Sequence, residues 1–391
     1  MHNAWLLSVL SRDASGLLIA AAVAALGAAL RWLGAPSGVS WLLLAVAALL
    51  AAGALRHLLQ VRRVMTQHPA PGRMIDAGGF RLHLLAEGPP IGVTLLWIAG
   101  GYASAAPMAH FHLALRTHAR SLMLDRPGTG WSDVPTFPRS TAGEAAEIWR
   151  VLDAAGEQGP FIIAGHSFGG LLAANLARRR PGAIVSLVLL DATPPDTILY
   201  GPRLGNLKLM SRQAFFGGLL RLFGGREAAY ERRQREDPQY AELMKTILAV
   251  MGEAGRVDRA LMLRARRHFA SASIYRELTP EGMVACAWDT AVYDGALDGM
   301  RVLVVAPCTS GESALLPEVA DAEASEALRM QAFFPKSRES WMQVSDCAVR
   351  VIAPAGTGHN FPYEKPQFVV ELMINEVRRD QALAPQTEAV S

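Results

Sequence analysis

The sequence predicts an α/β fold: a mostly parallel sheet covered by helices on both faces, set behind an apolar helical hairpin. Three observations carry this expectation. Short apolar runs alternate with helical stretches from Arg73 onward. Two long charge-free apolar segments precede them. One apolar run, 161–165, leads directly into a glycine-flanked serine and then a further helix.

Composition sets the outer bounds. The chain has 391 residues, of which 51% are hydrophobic and 19% charged. Globular domains carry about 25% charged residues, and the shortfall here is local, concentrated in residues 14–59. A formal net charge of +3, with no basic stripe interleaved with aromatics, gives no reason to expect a nucleic-acid partner. Cys286, Cys308 and Cys347 form no CxxC pair and no disulfide framework, which fits a reducing compartment. His110, His112 and His118 lie close together, but no His/Cys/Asp group has metal-ligand spacing, so neither a metal nor another cofactor is expected.

The hairpin comes first. Residues 16–30 are an unbroken apolar run, Pro36-Ser37-Gly38 makes a turn, and a second run, 39–55, ends at Arg56-His57. Helices are expected at about 16–34 and 39–57, within an N-terminal unit of residues 1–60. Each run is slightly short for a hydrocarbon core of ~30 Å, and Trp5, Trp32 and Trp41 extend the reach at headgroup level. Helices without a polar face would aggregate in water, so a transmembrane hairpin is expected. Arg12 precedes the first run and Arg56, Arg62, Arg63 and Arg73 follow the second, while the turn holds only Arg31. The positive-inside rule then puts the C-terminal domain on the cytoplasmic side of an inner or plasma membrane. A signal peptide ending near Leu33 is the alternative.

Strands are expected at 73–76 and 80–86, antiparallel around Gly78-Gly79, and then at 93–99 and 119–125. A helix follows at 140–155, with Ala145, Ile148, Trp149 and Leu152 on one face. Strand 161–165, a helix to Arg180 and strand 184–190 come next. Strands 301–306 and 349–353 and a helix at 365–379 close the pattern. The sheet domain thus occupies 73–194 and 296–380, and 381–391 is a polar tail. Residues 195–295 break the rhythm. They are helical, rich in Arg and Met, and placed as a lid over the mouth of a site. Within them 219–223 is apolar and surrounded by arginines, open to two readings: contact with anionic lipid, or a solvated helix face.

The chemistry centres on Gly165-His166-Ser167-Phe168-Gly169, a G-x-S-x-G between an apolar strand and an Ala/Leu helix. That setting suits a tight strand-to-helix turn that exposes a strained serine, with small residues on either side to let the backbones pass. Ser167 needs a base to take its proton. His359, in Gly356-Thr357-Gly358-His359-Asn360, has the required setting among the ten histidines, between the last strand and the last helix. The acid that fixes the imidazole is open between Asp191, at the end of strand 184–190, and Glu312, beyond the next strand. Asp191 is favoured, because the loop to Glu312 must stretch. Oxyanion donors are expected at the N–H groups of Phe168 and Gly101, the latter in Ala99-Gly100-Gly101-Tyr102. Tyr102 and His166 are the candidate substrate-binding side chains. His166 sits beside the nucleophile but should point away from it.

Together these segments resemble the α/β-hydrolase superfamily, in its proline-iminopeptidase and esterase-like branch. The matching stretches are Ala99 to Tyr102, Asp125-Arg126-Pro127-Gly128-Thr129-Gly130-Trp131-Ser132, Gly165 to Gly170, Leu189 to Thr193 and Gly356 to His359. The resemblance implies the α/β-hydrolase fold with a helical lid insertion, here preceded by two transmembrane helices. It also implies a Ser-His-acid triad and an acyl-enzyme formed on a small-molecule acyl substrate, and the hairpin and apolar lid favour an apolar ester, thioester or lipid delivered from the bilayer. Two departures stand out. Ala99-Gly100 replaces the family's frequent His-Gly, and no aspartate directly follows strand 301–306. An aminopeptidase remains the competing enzyme reading, with Glu277 and Glu281 as candidate amine-binding carboxylates. A hydrolase-fold binding protein and a membrane scaffold are the non-enzymatic readings. Oligomeric state is not legible.

Overall fold

The computed structural model describes residues 4–101, 103–137, 139–194, 204–261, 295, 297–308 and 338–383, without the side chains of 204–211 and 383. Helices α1 (Ala4–Leu10), α2 (Ser15–Trp32) and α3 (Ser37–Gln67) precede the sheet. The strands are β1 (Arg73–Asp76), β2 (Arg81–Glu87), β3 (Thr94–Ile98), β4 (Arg120–Leu124), β5 (Phe161–His166), β6 (Ile184–Leu190), β7 (Arg301–Cys308) and β8 (Ala348–Ala355). Between them run α4 (Ala109–Leu115), α5 (Thr141–Ala155) and α6 (Phe168–Arg179). Helices α7 (Leu204–Leu222), α8 (Gly225–Glu236), α9 (Pro238–Met251) and α10 (Glu253–Leu261) intervene between β6 and β7. Helices α11 (Phe361–Glu364) and α12 (Pro366–Leu383) follow β8.

The eight strands form one sheet in the order β1-β2-β4-β3-β5-β6-β7-β8. From β4 to β8 neighbouring strands are parallel, and β1 and β2 add an antiparallel edge. Parallel strands covered on both faces must be apolar throughout, and β3 and β5 are buried at every position. One core lies between the sheet and α5 and α6, around Ile148, Leu152, Leu171 and Leu172. The other lies on the opposite face, where Phe111 of α4 and Val369 and Met373 of α12 pack on Trp97 and Ile162. The expected α/β-hydrolase architecture is the one observed. The exchange of β3 and β4 in the sheet order had no local signal.

The hairpin differs from expectation in one respect. Its second helix runs to Gln67 rather than to about residue 57. The apolar run stops at Leu55, but the helix continues amphipathically, burying His57, Val61 and Val64 at helical spacing. Helices α2 and α3 are both long and apolar enough to cross a membrane.

Candidate active site

Ser167 sits between the last residue of β5 and the first of α6 with φ 54° and ψ −126°. A non-glycine residue held there costs on the order of 1–3 kcal/mol, so the surroundings must over-determine it. They do: Ser167 N–H donates to the Leu190 carbonyl at 3.1 Å, and the Ser167 carbonyl accepts from Thr193 N–H at 3.0 Å and Gly170 N–H at 2.9 Å. The motif glycines are required by close approach. A Cβ at Gly165 would collide with the carbonyl oxygen of Gly169, and one at Gly169 with that of Ile98.

Sheet topology explains why Asp191 is nearby. β5 and β6 are parallel neighbours with His166 opposite Leu190, so Ser167 and Asp191 leave the same edge of the sheet. Asp191 is itself a positive-φ residue at 40°, held by its N–H donating to Val305 at 2.9 Å. Beyond β8 the loop that carries His359 bends back over β7. Gly356 and Thr357 N–H groups donate to the Cys308 carbonyl at 2.8 and 3.1 Å. This brings His359 Nδ1 to 2.6 Å from Asp191 Oδ2. Asp191 is 2% exposed at its side chain and His359 47%, so a buried carboxylate supports an accessible ring. Ser167 and His359 line one cavity, with no hydrogen bond between them among the described residues. Such contacts often tighten only around substrate.

Two supports were not found in the sequence. Arg338 places Nε 2.7 Å from Asp191 Oδ1 and donates from Nη2 to Oδ2 at 3.2 Å, so the carboxylate lies between imidazole and guanidinium. Arg338 lies in no motif, 147 residues from its partner, and nothing local marks it. His166, placed on the substrate side by sequence reasoning, lines the cavity but spends its Nε2 on the His359 carbonyl at 2.9 Å. The two imidazole rings lie 4.8 Å apart. Burial, reinforced by the His359 ring, pushes His166 down to about 4, so it is a neutral donor at neutral pH.

The turn expected to supply an oxyanion donor is held by Arg126. This 1%-exposed side chain donates from Nη2 to the Gly100 carbonyl at 3.0 Å and also to the Gly101 carbonyl. In a trans peptide the carbonyl of one residue and the N–H of the next point opposite ways. Drawing the Gly100 oxygen toward Arg126 therefore aims the Gly101 N–H away from it, and Gly101, with φ 42°, has open space beside it. Phe168 is the first residue of α6, so its N–H has no intrahelical acceptor. The Arg126 guanidinium also lies 5.6 Å from the Phe168 ring. Asp125 braces this region from below, accepting from Ala105 N–H at 2.7 Å and Trp131 N–H at 3.0 Å.

The cavity over Ser167 has a volume of about 340 Å³. Its roof comes from α8–α10: Tyr230, Ile247, Leu248 and Met251 make it apolar. Asp258 and Arg259 of α10 are charged exceptions in this lining, and Asp258 is hydrogen-bonded by Ser104 Oγ and pushed up to about 6 by burial. Tyr102, Glu312, Glu277 and Glu281 lie outside the described residues.

Comparison with known proteins agrees with this architecture. The model of the alpha/beta hydrolase family matches residues 95–372. Lipase LipV of Mycobacterium tuberculosis is 46% identical over 96 residues, which are 25% of this chain and 33% of that protein. The 2-hydroxymuconate semialdehyde hydrolase of Pseudomonas putida is 34% identical over 127 residues, covering 32% of this chain and 45% of the other. Matched segments span between 5% and 45% of the length of the curated relatives. A thermophilic esterase from Thermogutta terrifontis shares the fold with a TM-score of 0.53 at 18% identity, over 78% of this chain and 97% of that one.

Proposed function

The chain belongs to the alpha/beta hydrolase family, and on that premise we propose that it is a membrane-attached serine hydrolase cleaving an ester, thioester or related acyl bond. The observation that carries the reading is the His359 imidazole held at Nδ1 by Asp191, 2.6 Å away, in the cavity lined by the strained Ser167. A carboxylate on Nδ1 fixes the tautomer that leaves Nε2 as the base.

In the proposed reaction, Nε2 takes the Ser167 proton as Oγ bonds the substrate carbonyl carbon. The carbonyl π pair moves onto oxygen, where Gly101 and Phe168 N–H groups donate to it. The tetrahedral intermediate collapses, the bond to the leaving group breaks, and the imidazolium protonates that group. Water then repeats the sequence on the acyl-enzyme, releasing the acid and restoring Ser167.

Helices α2 and α3 act in this reading as a membrane hairpin. At 1.5 Å per residue, the 18 residues of α2 span about 27 Å, and the flanking arginines favour a cytoplasmic catalytic domain. The apolar roof favours an apolar acyl substrate. Asp258 is the feature that favours the aminopeptidase alternative. Already bonded to Ser104 and pushed up to about 6, it is a poor anchor for an ammonium group.

The test is a p-nitrophenyl ester series of rising chain length on detergent-solubilised protein. Turnover is expected to rise from acetate to medium chains and to fall at least about 10³-fold in Ser167→Ala. Preference for an aminoacyl substrate over every ester, or full turnover in Ser167→Ala, contradicts the reading.

A further inference from the structure

Over residues 212–222, helix α7 buries one side and exposes two large apolar residues, together with Arg212 and Gln213, on the other. Ala214, Gly218, Arg221 and Leu222 are buried at helical spacing. The opposite line carries Phe216 and Leu220, which are 64% and 44% exposed. A surface helix in water keeps its outer face polar; large apolar side chains exposed there beside an arginine suit the boundary between water and an apolar medium.

The buried side docks on the hairpin. A Cβ at Gly16 would lie 2.6 Å from the Leu222 carbonyl oxygen and 2.8 Å from Ala54 Cβ, and one at Gly53 would lie 2.9 Å from the Phe223 oxygen. Two glycines thus make a notch for the end of α7, at the level where α2 begins. Leu222 also packs with Leu7 and Leu10 of α1. Arg221, fully buried, donates from Nη1 to Asp13 at 2.6 Å and from Nη2 to the Ser11 carbonyl at 3.3 Å. The lid is therefore fastened to the base of the hairpin by an ion pair across 208 positions of sequence.

Exposed apolar residues also flank this joint on the hairpin. Leu17 and Leu18, next to the Gly16 notch, are 37% and 60% exposed, and Leu49, one turn before Gly53, is 75% exposed. Beyond the notch, α3 presents Leu55 and Leu59 along a groove rimmed by Arg56 and Arg63. That sequence of surfaces, apolar and then apolar rimmed with cations, is the profile of a bilayer edge: acyl chains below, anionic headgroups above.

We propose that α7 lies in the bilayer interface at the Gly16–Gly53 end of the hairpin, with Phe216 and Leu220 among lipid acyl chains. The roof over Ser167 continues directly from α7 into α8, α9 and α10. The lid is then a membrane-seated element, and the cavity opens beside the leaflet that dissolves an acyl substrate. The proposal rests on the hairpin spanning the membrane, but not on the identity of the nucleophile.

The experiment places a benzophenone amino acid singly at positions 216, 220, 49 and 113 of the full chain, in nanodiscs of phosphatidylcholine and phosphatidylglycerol. Position 49 reports on the hairpin, and Leu113, 53% exposed on α4, is the control on the globular domain. After irradiation, mass spectrometry is expected to find phospholipid adducts at 216, 220 and 49, and none at 113. Lipid adducts at 49 without any at 216 or 220 overturn the proposal. So do crosslinks from 216 to a second copy of the chain. No lipid adduct at 49 overturns the membrane hairpin, and the proposal with it, while leaving the serine hydrolase reading intact.

Discussion

His166 Nε2 donates to the main-chain carbonyl of His359 at 2.9 Å, tying the residue before the strained Ser167 to the loop that carries the imidazole. The proposed nucleophile and base lie on segments far apart in sequence, and this hydrogen bond, across 193 positions, joins their supports directly. A net hydrogen bond is worth about 0.5–1.5 kcal/mol. His166→Phe is therefore expected to lower kcat between about twofold and tenfold, measured on a soluble ester. An unchanged kcat contradicts the positioning role.

The same side chain gives a pH signature. His166 is held down to about 4, against an ordinary value of 6.5. Between those values the unfolded chain binds the extra proton, so its contribution makes stability rise with pH and fall away as pH drops from about 6.5 to about 4. Melting of His166→Asn across pH 4–7 is expected to show a shallower acid loss than the parent protein.

Asp258 works in the opposite sense. Its pKa is raised from 3.8 to about 6 by burial, so the folded chain holds the extra proton in that window. Stability from this group is lost as pH rises through it. Asp258→Asn, which keeps a partner for Ser104, is expected to melt a few degrees higher than the parent at pH 7.5, with the difference vanishing near pH 4. A lower melting temperature at pH 7.5 contradicts the assignment.

The choice of acid has a direct kinetic test. Asp191→Asn keeps the shape but not the charge opposite His359 Nδ1, and kcat is expected to fall by about 10³–10⁴-fold. Glu312→Gln is expected to stay within about twofold. Arg338→Gln, which removes the cation from the outer edge of Asp191, is expected to cost about tenfold in kcat with KM little changed. Equal losses in the Asp191 and Glu312 variants contradict the account.

Arg126 is expected to act on the transition state without touching substrate. Arg126→Lys retains charge near Glu144, 3.9 Å from the guanidinium, but cannot reproduce the grip on the Gly100 and Gly101 carbonyls. The expected loss in kcat is about 10²–10³-fold, the range for losing an oxyanion donor, with KM little changed. A rise in KM alone indicates a substrate-binding role instead.

Local signals in the sequence were sufficient wherever local physics decides. Apolar runs located the strands, and the glycines around Ser167 marked a turn whose backbones come too close for a Cβ. The small residues around His359 marked a loop able to fold back. Long-range geometry was not legible. Whether Asp191 or Glu312 meets His359 depends on strand order and loop path across 168 positions. Arg338 meets Asp191 from a segment with no motif, and Arg221 meets Asp13 only because α7 docks on the hairpin. The extension of α3 was hidden for another reason. Its apolar run ends at Leu55, and the amphipathic turns after it look polar until their buried face is known.

The most direct test of the central claim is covalent: intact-mass and peptide mapping after reaction with a fluorophosphonate probe in detergent. One adduct on Ser167 is expected, forming rapidly in the parent protein, slowly in Asp191→Asn and not in His359→Ala. Failure of Ser167 to label, or labelling that proceeds at the parent rate without the His359 imidazole, contradicts the assignment of that serine as an activated nucleophile.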